Sequence, residues 1–419
     1  MQDFIYQDNR LHAESVSLGL IAEEYGTPCF VYSTAAIRRQ VEGLQAAFSG
    51  QSCRICYAVK ANGNLAVLQH LAKLGCAFDL VSGGELARVQ AAGGDLSQSV
   101  FSGVGKTPEE IRQALDAGIG AFHVESSSEL ERISRIAREQ GRIAPVSLRI
   151  NPAIEVDTHP HIATGFRGSK FGIPWEQVLD TYREASSLEG LRICGVACHI
   201  GSQLVDPEPI VAAARQLVDL ADRLRTEGIE LEYVDVGGGL GICYHDEKPP
   251  PLEPYAEGLR EVIGDRSLSL VVEPGRYVVG NAGILLTRVE YIKQTVGGRF
   301  VVVDAAMTEL MRPALYGAWH AIMPVTKAEG RERMNCDVVG PVCETADCLG
   351  RSRNLAVDEG DLLAVFSCGA YAASMGSTYN ARPPVAEVMV EGDRHDLVRC
   401  RGEAEQLYAG ESLRASRQG

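Results

Sequence analysis

Four short motifs in this sequence could do chemistry, and each follows a run of apolar residues. They are Tyr57-Ala58-Val59-Lys60-Ala61-Asn62, His199-Ile200-Gly201-Ser202-Gln203, Gly237-Gly238-Gly239 and Glu273-Pro274-Gly275-Arg276. A lysine in a partly desolvated site loses its proton more easily, and its neutral amine can condense with an aldehyde. Taken alone, however, Lys60 is more readily explained as a lysine that reaches solvent from the end of a strand.

The other motifs suit the binding of a phosphorylated heterocycle. Consecutive glycines after a strand let backbone N–H groups converge on a phosphate, although three glycines can equally form a flexible turn. The Glu273 carboxylate could keep a heterocyclic nitrogen protonated, while the Arg276 guanidinium could bind a carboxylate or a phosphate. The structural alternative is an ion pair between Glu273 and Arg276 that closes the end of the fold.

These motifs lie in a region where short β-rich runs alternate with segments of helical period, between about residues 53 and 275. The predicted strands are Ile55–Lys60, Ala77–Ser82, Ser99–Ser102, Ala121–Glu125, Pro145–Ile150, Ile193–His199, Tyr233–Gly237 and Ser269–Glu273. The predicted helices are Leu65–Leu74, Glu85–Ala92, Pro108–Ala117, Ser128–Gln140 and Pro209–Gly228. This pattern predicts a (β/α)₈ barrel, which places its active site at the carboxyl ends of the strands.

After Glu273 the pattern changes to β-branched runs separated by turns. The runs are Arg299–Val303, Cys336–Val339, Leu362–Phe366 and Val385–Val390. Near the N-terminus, Cys29–Tyr32 is a further candidate strand. The fold class expected is therefore α/β, with a TIM-like barrel over residues 31–280 and an all-β domain over 281–419 that also takes in the N-terminal segment 1–30.

Composition limits the classes of function. The net charge of −15 argues against nucleic acid or an anionic membrane as the main partner. The polar start and the lack of a long apolar run favour a cytoplasmic protein. Twelve cysteines are expected to be reduced thiols, and the pair Cys53 and Cys56 has no second pair with which to bind zinc, so no metal is expected.

In their combination and order, these segments resemble the diaminopimelate decarboxylases, which belong to the alanine-racemase-like barrel class of pyridoxal-phosphate enzymes. The resemblance covers nearly the whole chain. It also includes the segments Phe78–Leu86, Phe101–Thr107, Asn151-Pro152, Lys170–Ile173, Val303–Met307, Arg312–Tyr316, Gly340–Asp347 and Gly369–Tyr371. Ala306, Thr308 and Gly63 depart from the family pattern at positions to which no role is assigned.

For the cofactor, the resemblance implies that Lys60 carries pyridoxal 5'-phosphate as a Schiff base and that His199 stacks on the ring. Glu273 would face the pyridine nitrogen and make the ring a strong electron sink. In the similar alanine racemases an arginine takes this place. The remaining cofactor contacts implied are Asp79, Ser202, Gly238, Gly239, Gly275, Arg276 and Tyr371.

For the substrate, the family pattern assigns carboxylate recognition to Arg276, Arg312 and Tyr316, and recognition of a distal amino group to Glu344. Tyr371 would be a further substrate-binding residue. Cys343 would come from the neighbouring chain and donate a proton to the carbanion, which implies a homodimer with shared active sites. The alternatives without a functional role are a surface cation at Arg312 and a small core residue at Cys343.

The reaction implied is decarboxylation of the small amino acid meso-2,6-diaminopimelate to L-lysine, the last step of bacterial lysine biosynthesis. The alternatives are decarboxylation of ornithine, arginine, carboxynorspermidine or a carrier-bound amino acid, and racemisation on the same barrel. A cofactor-binding or regulatory homologue without activity is an alternative of another class. Glu273 and the Cys343-Glu344 pair argue against the racemase.

Overall fold

The computed structural model describes residues 2–154, 156, 158–159, 164–165 and 168–414. The chain divides into two compact units, which are Ala36–Asn281, here called the barrel, and Met1–Ala35 with Ala282–Gly419, here called the β-domain. Among the described helices, none combines the length and apolar character needed to cross a membrane.

The elements follow one another in three groups. Before the barrel come β1 (Phe4–Gln7), β2 (Arg10–Ala13), β3 (Val16–Ser17), α1 (Leu18–Tyr25) and β4 (Cys29–Ser33). The next group is α2 (Thr34–Ala47), β5 (Cys53–Ala58), α3 (Leu65–Lys73), β6 (Ala77–Leu80), α4 (Gly83–Ala91), β7 (Val100–Phe101), α5 (Pro108–Asp116), β8 (Ala121–Val124), α6 (Ser127–Glu139), β9 (Ala144–Asn151), β10 (Ile173–Pro174), α7 (Val178–Ser187), β11 (Leu191–Ala197), α8 (Glu208–Thr226), β12 (Tyr233–Asp235), α9 (Leu252–Ile263), β13 (Ser269–Val272) and α10 (Arg276–Val279). The last group is β14 (Gly283–Thr295), β15 (Gly298–Val303), α11 (Arg312–Tyr316), β16 (Ile322–Pro324), β17 (Met334–Val339), β18 (Cys348–Leu355), β19 (Leu362–Val365), β20 (Ala386–Glu391) and β21 (Arg394–Arg399).

Eight parallel strands close the barrel. Strands β5, β6, β7, β8, β9, β11, β12 and β13 each pair with the next, and β13 pairs with β5. The predicted α/β barrel and all eight predicted strands are thereby confirmed. The prediction that the first strand includes Lys60 is wrong, because β5 ends at Ala58 and Lys60 lies in a single 3₁₀ turn, Val59–Ala61.

Several barrel helices begin at a hydroxyl residue that follows the preceding strand. Ser82, Thr107 and Ser126 each accept a hydrogen bond from the amide three residues ahead, and so satisfy one of the donors that a helix start leaves open. Thr107 and Glu110 form a complete capping box at α5. The chain therefore turns from strand to helix within a few residues at these points, and the loops at the strand ends stay short.

The inside of the barrel contains an apolar layer to which seven of the eight strands contribute. It consists of Cys56, Ala77, Val100, Ala121, Cys194, Tyr233 and Val271. Because side chains alternate across a strand, residues two positions further on face the same interior. The side chains of the next layer toward the carboxyl ends therefore form the floor of the candidate site.

The β-domain is built on a sheet in the order β18-β17-β15-β14-β4-β20-β21. Strand β4 runs antiparallel to β14 and parallel to β20, so a strand from the N-terminal segment lies between two from the C-terminal part. A domain boundary after residue 30, as expected from the sequence, would cut β4. The structure instead divides the chain after Ala35 and after Asn281.

Candidate active site

Lys60 meets an acid at the carboxyl end of the neighbouring strand. Its Nζ donates to Asp79 Oδ2 over 2.5 Å; the Lys60 side chain is 38% exposed, whereas that of Asp79 is fully buried. Burial acts to raise the pKa of Asp79, but the charge and the hydrogen bond of Lys60 outweigh it and bring this pKa below its usual value. The pair therefore combines an ionised buried carboxylate with an amine that solvent can reach.

A second cluster of polar side chains lies in the same layer of the barrel. His123 Nδ1 lies 3.5 Å from Glu273 Oε1, and His123 Nε2 lies 3.7 Å from Asp235 Oδ2. Ser102 Oγ is 3.2 Å from His123 Nδ1. Donor atoms of His123, Asp235 and Glu273 all lie within 4.8 Å of one another, an arrangement that could also ligate a cation and that the sequence analysis did not single out.

Burial decides the protonation of this cluster. It raises the pKa of Glu273 well above its ordinary value, and the nearby charges of Asp235 and Asp79 raise it further. Burial also lowers the pKa of His123 to about 3, so this imidazole is neutral at physiological pH. The cluster thus places a neutral ring beside a Glu273 carboxyl whose burial favours the protonated form.

The glycine turn after β12 leaves no room for side chains. A Cβ on Gly238 would lie 2.3 Å from the Glu273 carbonyl oxygen, and one on Gly237 would lie 2.5 Å from the Cys198 carbonyl oxygen. Gly239 has a φ of +117°, a conformation that L side chains rarely adopt. The ends of β11, β12 and β13 therefore interlock through backbone at the mouth of the barrel.

Arg276 and Ser202 are held together beside this turn. Arg276 is buried; its Nη1 donates to the Tyr244 hydroxyl over 2.6 Å, and its Nη2 donates to Ser202 Oγ over 3.3 Å. Gly275, just before it, packs closely enough that a Cβ would lie 3.0 Å from that of Ala61. The cation and the hydroxyl converge as anion recognition requires.

His199 joins the end of β11 to the glycine turn. Its Nδ1 accepts a hydrogen bond of 3.2 Å from the amide of Gly238. Burial, together with the charges of Arg149 and Lys60, lowers the pKa of His199 to about 3. A neutral ring with a fixed Nδ1 acceptor is suited to stacking on a flat aromatic ligand.

In the β-domain, Arg312 is held by an imidazole. Its Nη1 donates to His320 Nε2 over 2.8 Å, and His320 Nδ1 lies 2.8 Å from the Phe366 carbonyl oxygen, to which it can only donate. This arrangement fixes His320 as the Nδ1–H tautomer, which leaves Nε2 as the acceptor. Both side chains are buried, so the surface-cation reading of Arg312 is wrong.

The other candidate residues of the β-domain are more accessible. Tyr316 and Tyr371 are half-buried, and Tyr371 has a φ of +54°. Cys343 and Glu344 are exposed, so the alternative reading of Cys343 as a small core residue is wrong. Their exposure is consistent with a role outside their own domain.

Sequence reasoning missed His123, Asp235, Tyr244 and His320. For the first two a signal existed, because each follows by two positions an inward-facing residue of the apolar layer, Ala121 or Tyr233. The same spacing relates Asp79 to Ala77 and Glu273 to Val271. A polar residue inside an otherwise apolar barrel strand therefore marks the floor of the site.

These features fit pyridoxal phosphate. Oε1 of Glu273 and Oδ1 of Asp79 are buried and have no hydrogen-bond partner within the part of the chain that the structure describes. Such orphaned atoms are costly unless a ligand satisfies them. The glycine turn, with Ser202 and Arg276 beside it, offers the small backbone and positive charge that a phosphate requires.

Comparison with known proteins gives the same result. Residues 34–280 match the model of the family described as "Pyridoxal-dependent decarboxylase, pyridoxal binding domain". The chain is 51% identical to the diaminopimelate decarboxylase of Pseudomonas aeruginosa over 99% of both proteins, and 50% identical to that of Neisseria meningitidis serogroup B over 96% of this chain and 97% of the relative. The crystal structure of the Helicobacter pylori diaminopimelate decarboxylase complexed with L-lysine superposes with a TM-score of 0.91 at 40% identity, over 94% of this chain and 99% of that one. The chain therefore belongs to the pyridoxal-dependent decarboxylase family, within its group of diaminopimelate decarboxylases.

Proposed function

We propose that this enzyme removes one carboxylate from meso-2,6-diaminopimelate and releases L-lysine and carbon dioxide, with Lys60 as the lysine that carries the cofactor. The observation that carries the proposal is the 2.5 Å pair of Lys60 and Asp79 in the same barrel layer as Glu273. The names of the relatives, and the L-lysine in the Helicobacter pylori structure, support the choice of substrate.

Pyridoxal phosphate supplies a conjugated ring that accepts the electron pair left when the carboxylate departs. Lys60 would hold the cofactor through its amine, and Asp79 positions that amine through the 2.5 Å hydrogen bond. Burial and the neighbouring acids Asp235 and Asp79 raise the pKa of Glu273 and so disfavour its charged form in the absence of a ligand. Glu273, whose buried Oε1 has no hydrogen-bond partner among the described residues, would hold the proton shared with the cofactor ring and so favour its role as an electron sink.

Binding and orientation fall to the remaining residues. Ser202, Arg276 and the turn at Gly238 and Gly239 would hold the phosphate, Gly275 keeps the backbone close, and His199 would pack on the ring. Tyr371 completes the cofactor contacts in this proposal. By holding the cofactor and the substrate in fixed positions, these residues would orient the substrate for loss of its carboxylate.

The substrate contacts are proposed to come from the β-domain. Arg312, Tyr316 and, from the barrel, Arg276 would bind carboxylates, and Glu344 would bind the distal ammonium group. Tyr371 would also contact the substrate. Cys343 would donate the proton that replaces the lost carboxylate. In this proposal Cys343 and Glu344 serve the site of a neighbouring chain, so the enzyme works as a homodimer; its location in the cytoplasm stays a prediction.

The test is an assay of purified enzyme with pyridoxal phosphate and separate amino acids. Release of carbon dioxide from meso-diaminopimelate with formation of L-lysine is expected. Release from L-ornithine, L-arginine or carboxynorspermidine instead would reassign the substrate. Inversion of configuration without carbon dioxide would indicate a racemase, and inactivity with all substrates despite bound cofactor would indicate a silent homologue.

A further inference from the structure

The loop that carries Cys343 and Glu344 is exposed yet firmly anchored. Buried Asp347 accepts a 2.6 Å hydrogen bond from the amide of Met307 through Oδ1 and a 2.7 Å bond from the amide of Val342 through Oδ2. A Cβ on Gly340 would lie 2.4 Å from Asp347 Oδ2, so only glycine fits there. Residues 340–347, here called the presenting loop, therefore have a base that cannot shift freely.

A second segment of the β-domain, residues 379–382, forms hydrogen bonds to the tip of this loop. The Tyr379 hydroxyl donates to Glu344 Oε1 over 2.8 Å, and Asn380 Oδ1 accepts a 3.0 Å hydrogen bond from the amide of Cys343. The Glu344 carboxylate raises the pKa of Tyr379, chiefly through this hydrogen bond, so the phenol keeps its proton and remains a donor. Tyr379 thus contacts the acid, Glu344, and Asn380 contacts the residue that bears the thiol, Cys343.

The backbone of the second segment is held in an uncommon conformation. Asn380 and Ala381 both have a φ of +54°, a region that Asn tolerates far better than Ala does. The next residue, Arg382, donates through Nη2 to the carbonyl oxygen of Asp304 over 2.5 Å. Left-handed backbone at two non-glycine residues persists where the surroundings require it, and here it directs neighbouring side chains at the presenting loop.

Tyr379 is 45% exposed, and hydrogen bonds at a protein surface add little to the free energy of unfolding. Stability alone therefore does not account for the hydrogen bonds that Tyr379 and Asn380 make to the presenting loop. The arrangement gains a purpose if the tip of the loop must fit another molecule. We propose that Tyr379 and Asn380 are positioning residues, in which Tyr379 orients the Glu344 carboxylate and Asn380 fixes the backbone of Cys343 for the active site of the neighbouring chain. This inference rests on the proposed function, in particular on the shared active site.

The two residues should affect different kinetic constants. Tyr379→Phe keeps the ring but leaves Glu344 unoriented, so the KM for meso-diaminopimelate should rise about threefold to tenfold while kcat changes less than about twofold. Asn380→Gly keeps the left-handed backbone but removes the acceptor, so kcat should fall about threefold to tenfold with little change in KM. Ala381→Gly is the matched control, since it places glycine in the same turn without touching either hydrogen bond, and it should behave like the wild type.

A hybrid dimer tests whether the effect crosses between chains. In a dimer of one Tyr379→Phe chain and one Lys60→Ala chain, isolated through two different affinity tags, the site with a working lysine receives its presenting loop from the Lys60→Ala chain, which has Tyr379. The hybrid should therefore show the wild-type KM, with about half the wild-type turnover per dimer. A role within its own chain would leave the KM as high as in the Tyr379→Phe homodimer, and would overturn the proposal.

The two proposals fail in different ways. Wild-type enzyme that releases no carbon dioxide from meso-diaminopimelate would overturn the proposed function. An active wild type whose constants are unchanged by both Tyr379→Phe and Asn380→Gly would overturn the positioning role alone. Equal losses in Ala381→Gly and Asn380→Gly, with a lowered free energy of unfolding in both, would likewise assign the turn to stability and overturn the proposal.

Discussion

The candidate residues on the floor of the barrel and those on the presenting loop of the β-domain are held in opposite ways. In the barrel, Asp79, Glu273 and Arg276 are buried and interlocked through backbone and side-chain contacts. In the β-domain, Cys343 and Glu344 stand exposed on an anchored loop. The barrel residues are thus held by contacts within one chain, whereas the side chains of Cys343 and Glu344 remain accessible to a neighbouring molecule, as the proposed shared active site requires.

The largest effect is expected on the barrel side, from Lys60→Ala. Turnover should fall about 10⁴-fold or more and the visible absorption of the lysine-bound cofactor should disappear, since the amine that attaches it is gone. Reduction with borohydride followed by peptide mapping should locate the cofactor on Lys60 in the wild type. Lys73→Ala, at the exposed end of α3, is the control. Attachment at Lys106, a buried lysine paired with Glu129, would refute the assignment.

On the β-domain side, a large loss of substrate recognition should come from Arg312→Ala. A buried guanidinium–carboxylate contact is worth about 2–5 kcal/mol in such truncations, so kcat/KM for meso-diaminopimelate should fall accordingly. Cofactor affinity, measured by absorbance titration, should change little. Arg331→Ala is a suitable control, because Arg331 lies in the same domain with its own partners Asp358 and Asp361. Unaltered kinetics in Arg312→Ala would remove Arg312 from the substrate contacts.

A smaller loss, of about 10²-fold in kcat, is expected for Glu273→Gln, because an amide cannot give its proton to the ring nitrogen. The phosphate contacts remain, so cofactor affinity should stay close to that of the wild type. Glu309→Gln serves as control: burial raises the pKa of Glu309, and its carboxylate accepts a hydrogen bond from the Ala306 amide in the β-domain. A Glu273→Gln variant whose sole defect is weaker cofactor binding would make Glu273 an anchor instead.

The smallest expected signal is the recovery of activity in hybrid dimers, which tests most directly whether barrel and presenting-loop residues of different chains work together. When Lys60→Ala chains exchange with Cys343→Ala chains, about half the dimers are hybrid, and each hybrid has one intact site. Activity should therefore recover to about a quarter of the wild-type value from two nearly inactive parents. Proven exchange without recovery would place Lys60 and Cys343 in one chain. If the Cys343→Ala parent by itself has near-normal turnover, Cys343 is not the proton donor.

The sequence predicted the barrel well because each strand there is a short apolar run followed by a polar or glycine-rich turn. It did not predict helices α2, α7 and α9 or the long strand β14, whose patterns are less clear. It also extended the first strand to Lys60, since an apolar run does not reveal where hydrogen bonding to a neighbour stops at Ala58.

Side-chain networks were harder to predict than the elements that carry them. The contact between Arg312 and His320 spans eight residues, and that between Tyr379 and Glu344 spans 35, so neither follows from local periodicity. The cluster of His123, Asp235 and Glu273 was accessible in principle, because the spacing of two from the apolar layer applies to every barrel strand. Only closure of the barrel, however, brings these three strands to a common interior.

The position of β4 has a consequence for how the protein is made. Its residues Cys29–Ser33 are all buried, between β14 and β20. During synthesis β4 leaves the ribosome more than 200 residues before either neighbour exists. Strand β4 therefore has no pairing partner while the barrel segment is being synthesised. Unpaired edges of apolar strands are prone to aggregation. The nascent chain therefore carries a strand with an unpaired edge until β20 has been synthesised.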